Sequence, residues 1–241
     1  RFGTDEQKAR WLPDLAAGRT LGAFGLTEPG GGSDAGATRT TARLDGDEWV
    51  INGSKCFITN SGTDITSVVT VTAVTGEKPD GRKEISAILV PAGTPGFTVS
   101  EKYSKVGWNC SDTRELFFDD VAVPPENILG GEEGRGFIQM MQQLPQERLI
   151  IACGAQGALE GGVERTIAYA NERQAFGGPI MQFQNTRFKL AECLTKTKVA
   201  RAFLDECIAE HLKGELSVEK AAMAKYWISD TQFEVLDECV Q

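Results

Sequence analysis

The chain has 241 residues, 41% hydrophobic and 24% charged, which is room for one large or two modest globular domains with a sizeable core. A net charge of −9 and a pI near 4.8 argue against a nucleic-acid partner. Apolar runs such as Leu149–Cys153 are far too short for membrane insertion. The six cysteines (Cys56, Cys110, Cys153, Cys193, Cys207, Cys239) show no CxxC spacing and several sit in apolar runs, so free thiols in a reducing compartment are expected rather than disulfides or a metal site. The only histidine, His211, lies near the end of a helical stretch, which leaves no basis for a His-dependent triad.

In chain order, the spacing predicts a helix over Asp5–Ala17, in a first segment spanning 1–19. Residues 20–129 have short periodicity. Asp45-Gly46 and Asn52-Gly53 each sit between β-branched and aromatic residues and read as hairpin turns. "ITSVVTVTAV", "EISAILVPAG" and "TRELFFDDVAV" continue the strand pattern, and Pro124-Pro125 with "LGGEEGRG" closes it. An antiparallel β-sandwich or barrel is expected there. From 130 to 241 the spacing is helical. Leu149, Cys153, Gln156, Leu159, Val163, Ile167 and Ala170 recur every three or four residues. Further helices are expected over Asn185–Lys213 and from Val218 onward, giving an antiparallel α-helical bundle and an α+β multidomain chain overall. The first residue is not Met and helical periodicity is still running at Gln241, so the chain is expected to be the middle of a longer protein.

The stretch Leu26–Gly36, "LTEPGGGSDAG", looks like a phosphate cradle. It nearly matches the dinucleotide fingerprint, but that fingerprint opens a helix, and here a strand-like "GATRTTARLDG" follows. It is not a hydrolase elbow either, because Ala35 stands where G-x-S-x-G needs its last glycine. What remains is a glycine loop between β elements. Its N–H groups and the Ser33 hydroxyl can form an anion nest; taken alone, it is equally a flexible turn.

"FGLTEPGGGSDAG", then "FITN", "GWNCSDTRELFFDDVAVPPENILGGEEGRGF" and "ERQAFGGPIMQFQ" resemble the acyl-CoA dehydrogenase family in order and spacing, over essentially the whole chain. The resemblance implies FAD held between a β-domain and a helical domain. Phe24, Leu26, Thr27, Gly32 and Ser33 would line the flavin and its pyrophosphate, with Phe57, Ile58 and Thr59 against the isoalloxazine. Many members have Trp at the position of Phe57, so stacking carries over and an indole role does not. Fixed donors near N5 and O2 favour flavin reduction. Without the family, β-propensity explains both threonines. Arg173 matches an arginine that reaches FAD phosphates across a subunit boundary, with Phe176 and Gln184 beside it, which implies a homo-oligomer, a dimer or tetramer. Gln241 matches the start of a further FAD-contacting segment.

The reaction implied is α,β-dehydrogenation of an acyl-CoA thioester to a trans-2-enoyl-CoA. Long-chain and isovaleryl-CoA dehydrogenases resemble "QLPQERLIIA" and carry their catalytic glutamate at the position of Glu147. Pro145 reads as a helix start, placing Glu147 in the first turn, where the helix dipole favours the anion and burial opposes it. A helix-entrance glutamate paired with the dipole is the plainer reading. Arg148 matches an arginine near the CoA thioester arm, and Ser33 is a second substrate contact. Glu28, Asp34, Asp112 and Arg114 recur in family motifs but are explained by turn capping and interdomain pairing. Electron-transfer flavoprotein is the implied acceptor, in the cytoplasm of a bacterium or in a mitochondrial matrix. A base in a C-terminal segment, an oxygen-using acyl-CoA oxidase and an inactive acyl-CoA-binding scaffold remain as alternatives.

Overall fold

Helix α1 (Asp5–Ala16) opens with a capping box: Thr4 Oγ1 accepts from the Gln7 N–H and Gln7 Oε1 from the Thr4 N–H, at 3.2 and 3.0 Å, in a computed structural model describing residues 1–241. The Gln7 side chain then does a second job. Its Nε2 donates to Glu126 O and Ile128 O at 2.8 and 2.7 Å, and its Oε1 accepts from the Gly130 N–H at 3.0 Å. One buried amide thus ties α1 to the stretch that closes the strand region.

The strands are β1 (Leu21–Gly25), β2 (Thr41–Asp45), β3 (Glu48–Thr59), β4 (Thr66–Glu77), β5 (Lys83–Pro91), β6 (Phe97–Val99) and β7 (Thr113–Val123). They form one curled sheet of order β1-β4-β2-β3-β7-β6, with β5 on β4. The β2·β3 and β4·β5 pairs, each joined by a short turn, are antiparallel, and so are β3·β7 and β6·β7. β1 and β2 lie parallel to β4. A parallel pair needs a long connection, and the β2–β3 hairpin supplies it between β1 and β4. Ile51, Val69, Val71, Ile88, Val90, Leu116 and Val121 are fully buried in the core of this sheet, and Trp49 is nearly so.

The two expected turns come out differently. At Asp45-Gly46 the loop is Gly46-Asp47, with Gly46 at φ 62°, the first loop position, which a type II′ turn gives to glycine. Asn52-Gly53 is not a turn. It lies inside β3, where the register against β7 shifts between Ile51 and Gly53. Gly53 has φ 146°, and a Cβ there would lie 2.6 Å from Thr40 Oγ1 and 2.7 Å from Thr40 Cα. The glycine marks a bulge with a backbone pressed against it, which a turn dipeptide and a bulge share as sequence signals.

Helix α2 (Gly136–Glu172), α3 (Gln184–Lys213) and α4 (Val218–Val240) follow. Chain compactness separates Arg1–Met140 from Met141–Gln241. Within the second unit, α3 and α4 run antiparallel, because Lys189 pairs with Glu238, Lys196 with Glu234 and Lys220 with Glu206 and Glu210. α3 ends at Gly214 in the left-handed conformation, and Ser217 caps α4 through the Lys220 N–H. Leu149, Ala152, Leu159, Val163, Leu204, Ile228 and Val235 form its core.

Two expectations fail in α2. Its buried stripe runs through Ala152, and Cys153 is exposed, because Leu149 to Gln156 is spaced three then four rather than four then three. The helix also does not start at Pro145, which lies inside it. Such a proline forfeits one helical hydrogen bond, and buried Met140 and Leu149 hold the helix on either side. Glu147 is therefore the twelfth residue of α2, beyond the reach of the first-turn dipole.

Candidate functional site

In the strand unit, the end of β1 and the bulged end of β3 are joined: the Cys56 N–H donates to Thr27 O at 2.9 Å. The β3–β7 register shifts again between Lys55 and Ile58. The extra residue is Phe57, at φ 60° and 66% exposed, while Lys55, Cys56 and Ile58 turn inward. Tyr103 steadies the Phe57 ring edge-on at 5.5 Å and donates its own hydroxyl to Glu115 at 2.8 Å. The Ile58 side chain belongs to the sheet core, so only its backbone can meet a ligand. Thr59 is exposed, and Asp112 fixes the turn behind it, accepting from the Gly62 N–H at 3.0 Å and from Arg114 Nε at 2.8 Å.

The glycine loop leaves β1 beside this face. None of Gly30, Gly31 and Gly32 takes a positive φ. A Cβ at Gly32 would meet only Thr27 Cγ2, at 3.8 Å, and at Gly30 or Gly31 it would find ordinary contacts of 3.4–3.7 Å. Neither backbone strain nor intrachain packing asks for three glycines here. What they provide is open access to the backbone at Gly32 and Ser33, which are exposed. After the loop comes a three-residue turn of 3-10 helix, Ala35–Ala37, and then β2, which removes the Rossmann reading. Half-exposed Phe24, exposed Phe57, hydroxyls at Thr27, Ser33 and Thr59 and an open glycine loop are a donor set suited to a flat heteroaromatic ring with an anionic tail.

Beneath this face lies a pair whose Glu28 was set aside by sequence reasoning and whose Lys55 was missed. Lys55 is 0% exposed and Glu28 7%. The Lys55 ammonium donates to Glu28 Oε1 at 2.8 Å, Thr72 Oγ1 at 3.0 Å and Leu26 O at 3.2 Å, which uses all three of its protons. Glu28 also accepts from the Thr40 and Arg39 N–H groups at 3.0 and 2.7 Å. Burial pushes the Glu28 carboxyl up, but the bonds from Lys55, Thr40 and Arg39 outweigh it and hold it below its ordinary value. Burial pulls the Lys55 ammonium down, against Glu28. The available signal was a lysine in a strand next to residues that had to be buried.

In the helical unit, Glu147 is exposed on α2 and lines an open hollow of about 550 Å³ with Leu144, Arg148, Ile150, Ile151 and Lys225. Three apolar side chains around a carboxylate and two cations suit a ligand with a hydrocarbon arm and a polar junction. Arg173 and Phe176 stand past the far end of α2, in a two-residue ribbon (Gln174–Ala175 with Gly178–Pro179). Phe176 is 95% exposed at φ 52°, and Gln184 opens α3. Glu147 and Glu172 are 25 residues apart in one helix, about 37 Å along its axis at about 1.5 Å per residue. The Glu147 hollow and the Arg173 end are therefore separate places on one chain. Gln241 follows the last residue of α4.

Residues 23–121 match the acyl-CoA dehydrogenase middle domain, and residues 134–241 match the acyl-CoA dehydrogenase C-terminal domain. The chain belongs to the acyl-CoA dehydrogenase family. The long-chain specific acyl-CoA dehydrogenase of Sus scrofa mitochondria is 44% identical over 241 residues, which is all of this chain and 55% of that protein. The crystal structure of an acyl-CoA dehydrogenase from Geobacillus kaustophilus superposes with a TM-score of 0.92 at 42% identity, covering 100% of this chain and 63% of that one. A Mycobacterium smegmatis glutaryl-CoA dehydrogenase in complex with FADH2 gives a TM-score of 0.90 at 35% identity, over 99% of this chain and 59% of that one. The chain thus spans a little over half the length of the acyl-CoA dehydrogenases it matches. No helix is long and apolar enough to cross a membrane.

Proposed function

We propose that the protein dehydrogenates an acyl-CoA thioester between C2 and C3, giving a trans-2-enoyl-CoA, with FAD as cofactor. The observation that carries this reading is the family membership joined to a carboxylate in an apolar hollow: Glu147 beside Leu144, Ile150 and Ile151. FAD, when bound, supplies the hydride acceptor. The chain's own residues do the rest. Phe24 and Phe57 offer aromatic surface to the flavin, with Leu26 between them in sequence. Thr27, Thr59 and the backbone of Ile58 provide hydrogen-bonding groups at its polar edge, and Gly32 and Ser33 approach the pyrophosphate.

Glu147 takes the proton from C2. That proton is only weakly acidic beside a thioester, so a positioned base is needed. The apolar side chains seat the acyl chain, which on binding covers the exposed carboxylate and removes its water. Arg148 holds the thioester arm of CoA, with Ser33 as a second contact. The separation along α2 supports supply of Arg173, with Phe176 and Gln184 beside it, to the FAD of a second copy, so the working form is a homo-oligomer, and Gln241 begins a further FAD-contacting segment. Electron-transfer flavoprotein is the proposed acceptor. The test is Glu147→Gln: flavin content and acyl-CoA binding persist, while turnover with an artificial acceptor falls by about 10³-fold, the scale of losing a general base. Turnover within tenfold of wild type would assign the base to another residue.

A further inference from the structure

The buried Glu28–Lys55 pair has no part in the chemistry above, yet its partners are distributed in a particular way. Lys55 binds Leu26 O and Glu28, both at the entry to the glycine loop. Glu28 binds the N–H groups of Arg39 and Thr40, both at its exit. Thr72, on β4, accepts from Lys55 at 3.0 Å and donates to Gly25 O at 3.3 Å. The loop between, residues 29–38, is largely exposed and carries an internal Glu28–Gly31 bridge, with N–H to O distances of 2.9 and 3.1 Å. The entry of the loop is thus held by the Lys55 ammonium and its exit by the Glu28 carboxylate, the two bound to each other, and Lys55 stands two residues before Phe57.

A buried ion pair is a poor source of net stability, since well-packed apolar residues of similar size serve as well or better. What it supplies is registry: three donors and a carboxylate are satisfied together only when loop entry, loop exit, β3 and β4 hold one mutual position. We propose that Glu28 and Lys55 are positioning residues for the cofactor: they clasp the base of the glycine loop so that Gly32 and Ser33 face the same ligand as Phe57 and Thr59. The proposal rests on the FAD assignment made above.

The test compares wild type with Glu28→Leu/Lys55→Met, which removes both charges and keeps their volume, and with Thr72→Val, which keeps both charges and withdraws one partner. Each is stripped of flavin and reconstituted with FAD, with affinity read by flavin fluorescence, fold by urea unfolding and loop order by amide exchange over residues 29–40. The double variant should stay folded at a lowered urea midpoint, because the Arg39 and Thr40 N–H groups lose their acceptor. It should lose about 10- to 100-fold in FAD affinity, the scale of a misplaced site, and exchange the loop amides at least about tenfold faster. Thr72→Val should shift affinity and exchange the same way by a smaller factor, and it carries the test if the double variant does not fold. Wild-type affinity and wild-type loop exchange in a folded variant would show a purely structural pair and overturn the proposal. A wild type that takes up no FAD would overturn the cofactor assignment and the proposal with it, whereas equal FAD affinity in wild type and folded variants overturns the proposal alone.

Discussion

Glu28→Gln alone has a consequence that can be worked out from the contacts. Both carboxylate oxygens are acceptors, Oε1 from Lys55 and Thr40 and Oε2 from Arg39. An amide puts an NH₂ against at least one N–H donor and leaves the Lys55 charge buried without a counter-ion. Breaking a buried pair by removing one partner costs about 3–5 kcal/mol. For a unit of this size that is roughly 10–15 °C in midpoint, at about 3 °C per kcal/mol. Acid should do the same to wild type. The folded Glu28 carboxyl is held below its unfolded value, so its contribution is complete above the ordinary carboxylate range and is lost as pH falls through the lowered folded value. Urea unfolding followed by near-ultraviolet circular dichroism, where buried Trp49 reports the sheet core, measures both effects. Glu28→Gln within about 1 kcal/mol of wild type at neutral pH, with the same acid limb, would refute the reasoning.

Gly53→Ala should destabilise the sheet by about 2–4 kcal/mol, from a Cβ driven onto Thr40 and from the positive φ, as read by thermal melting. Arg201→Met should cost under about 1 kcal/mol, because its Glu160 pair is more than a third exposed. The bond from Arg201, seconded by Gln156, holds the Glu160 carboxyl down to about 2, so the same variant should return that carboxyl toward its ordinary range in an NMR titration. The stability that this carboxylate adds is present above its unfolded value and disappears as pH drops toward 2, so the variant should differ from wild type only above that limb.

Much of the architecture was legible because it rests on local signals. The helices Asp5–Ala16 and Gln184–Lys213 and the Gly46 turn rest on short-range chemistry, and the structure has each where the spacing put it. Asn52-Gly53 misled because a tight turn and a bulge ask for the same residue types, and the choice is made by Thr40, thirteen residues before Gly53. Pro145 misled because helix start is its commonest helical role, whereas here packing on both sides carries the helix through it. The flavin-facing residues were reached through family resemblance; sequence pattern alone left the glycine loop equal to a flexible turn. Glu28–Lys55 escaped because nothing local says that two opposite charges 27 positions apart will share one buried site.

The removal of the C2 proton by Glu147 is measured most directly by hydrogen exchange at that carbon. An acyl-CoA incubated anaerobically with the flavin-loaded protein in D₂O should take up deuterium at C2 with wild type, and Glu147→Gln should slow that uptake by about 10³-fold with binding retained. Exchange at the wild-type rate in the glutamine variant would contradict the assignment.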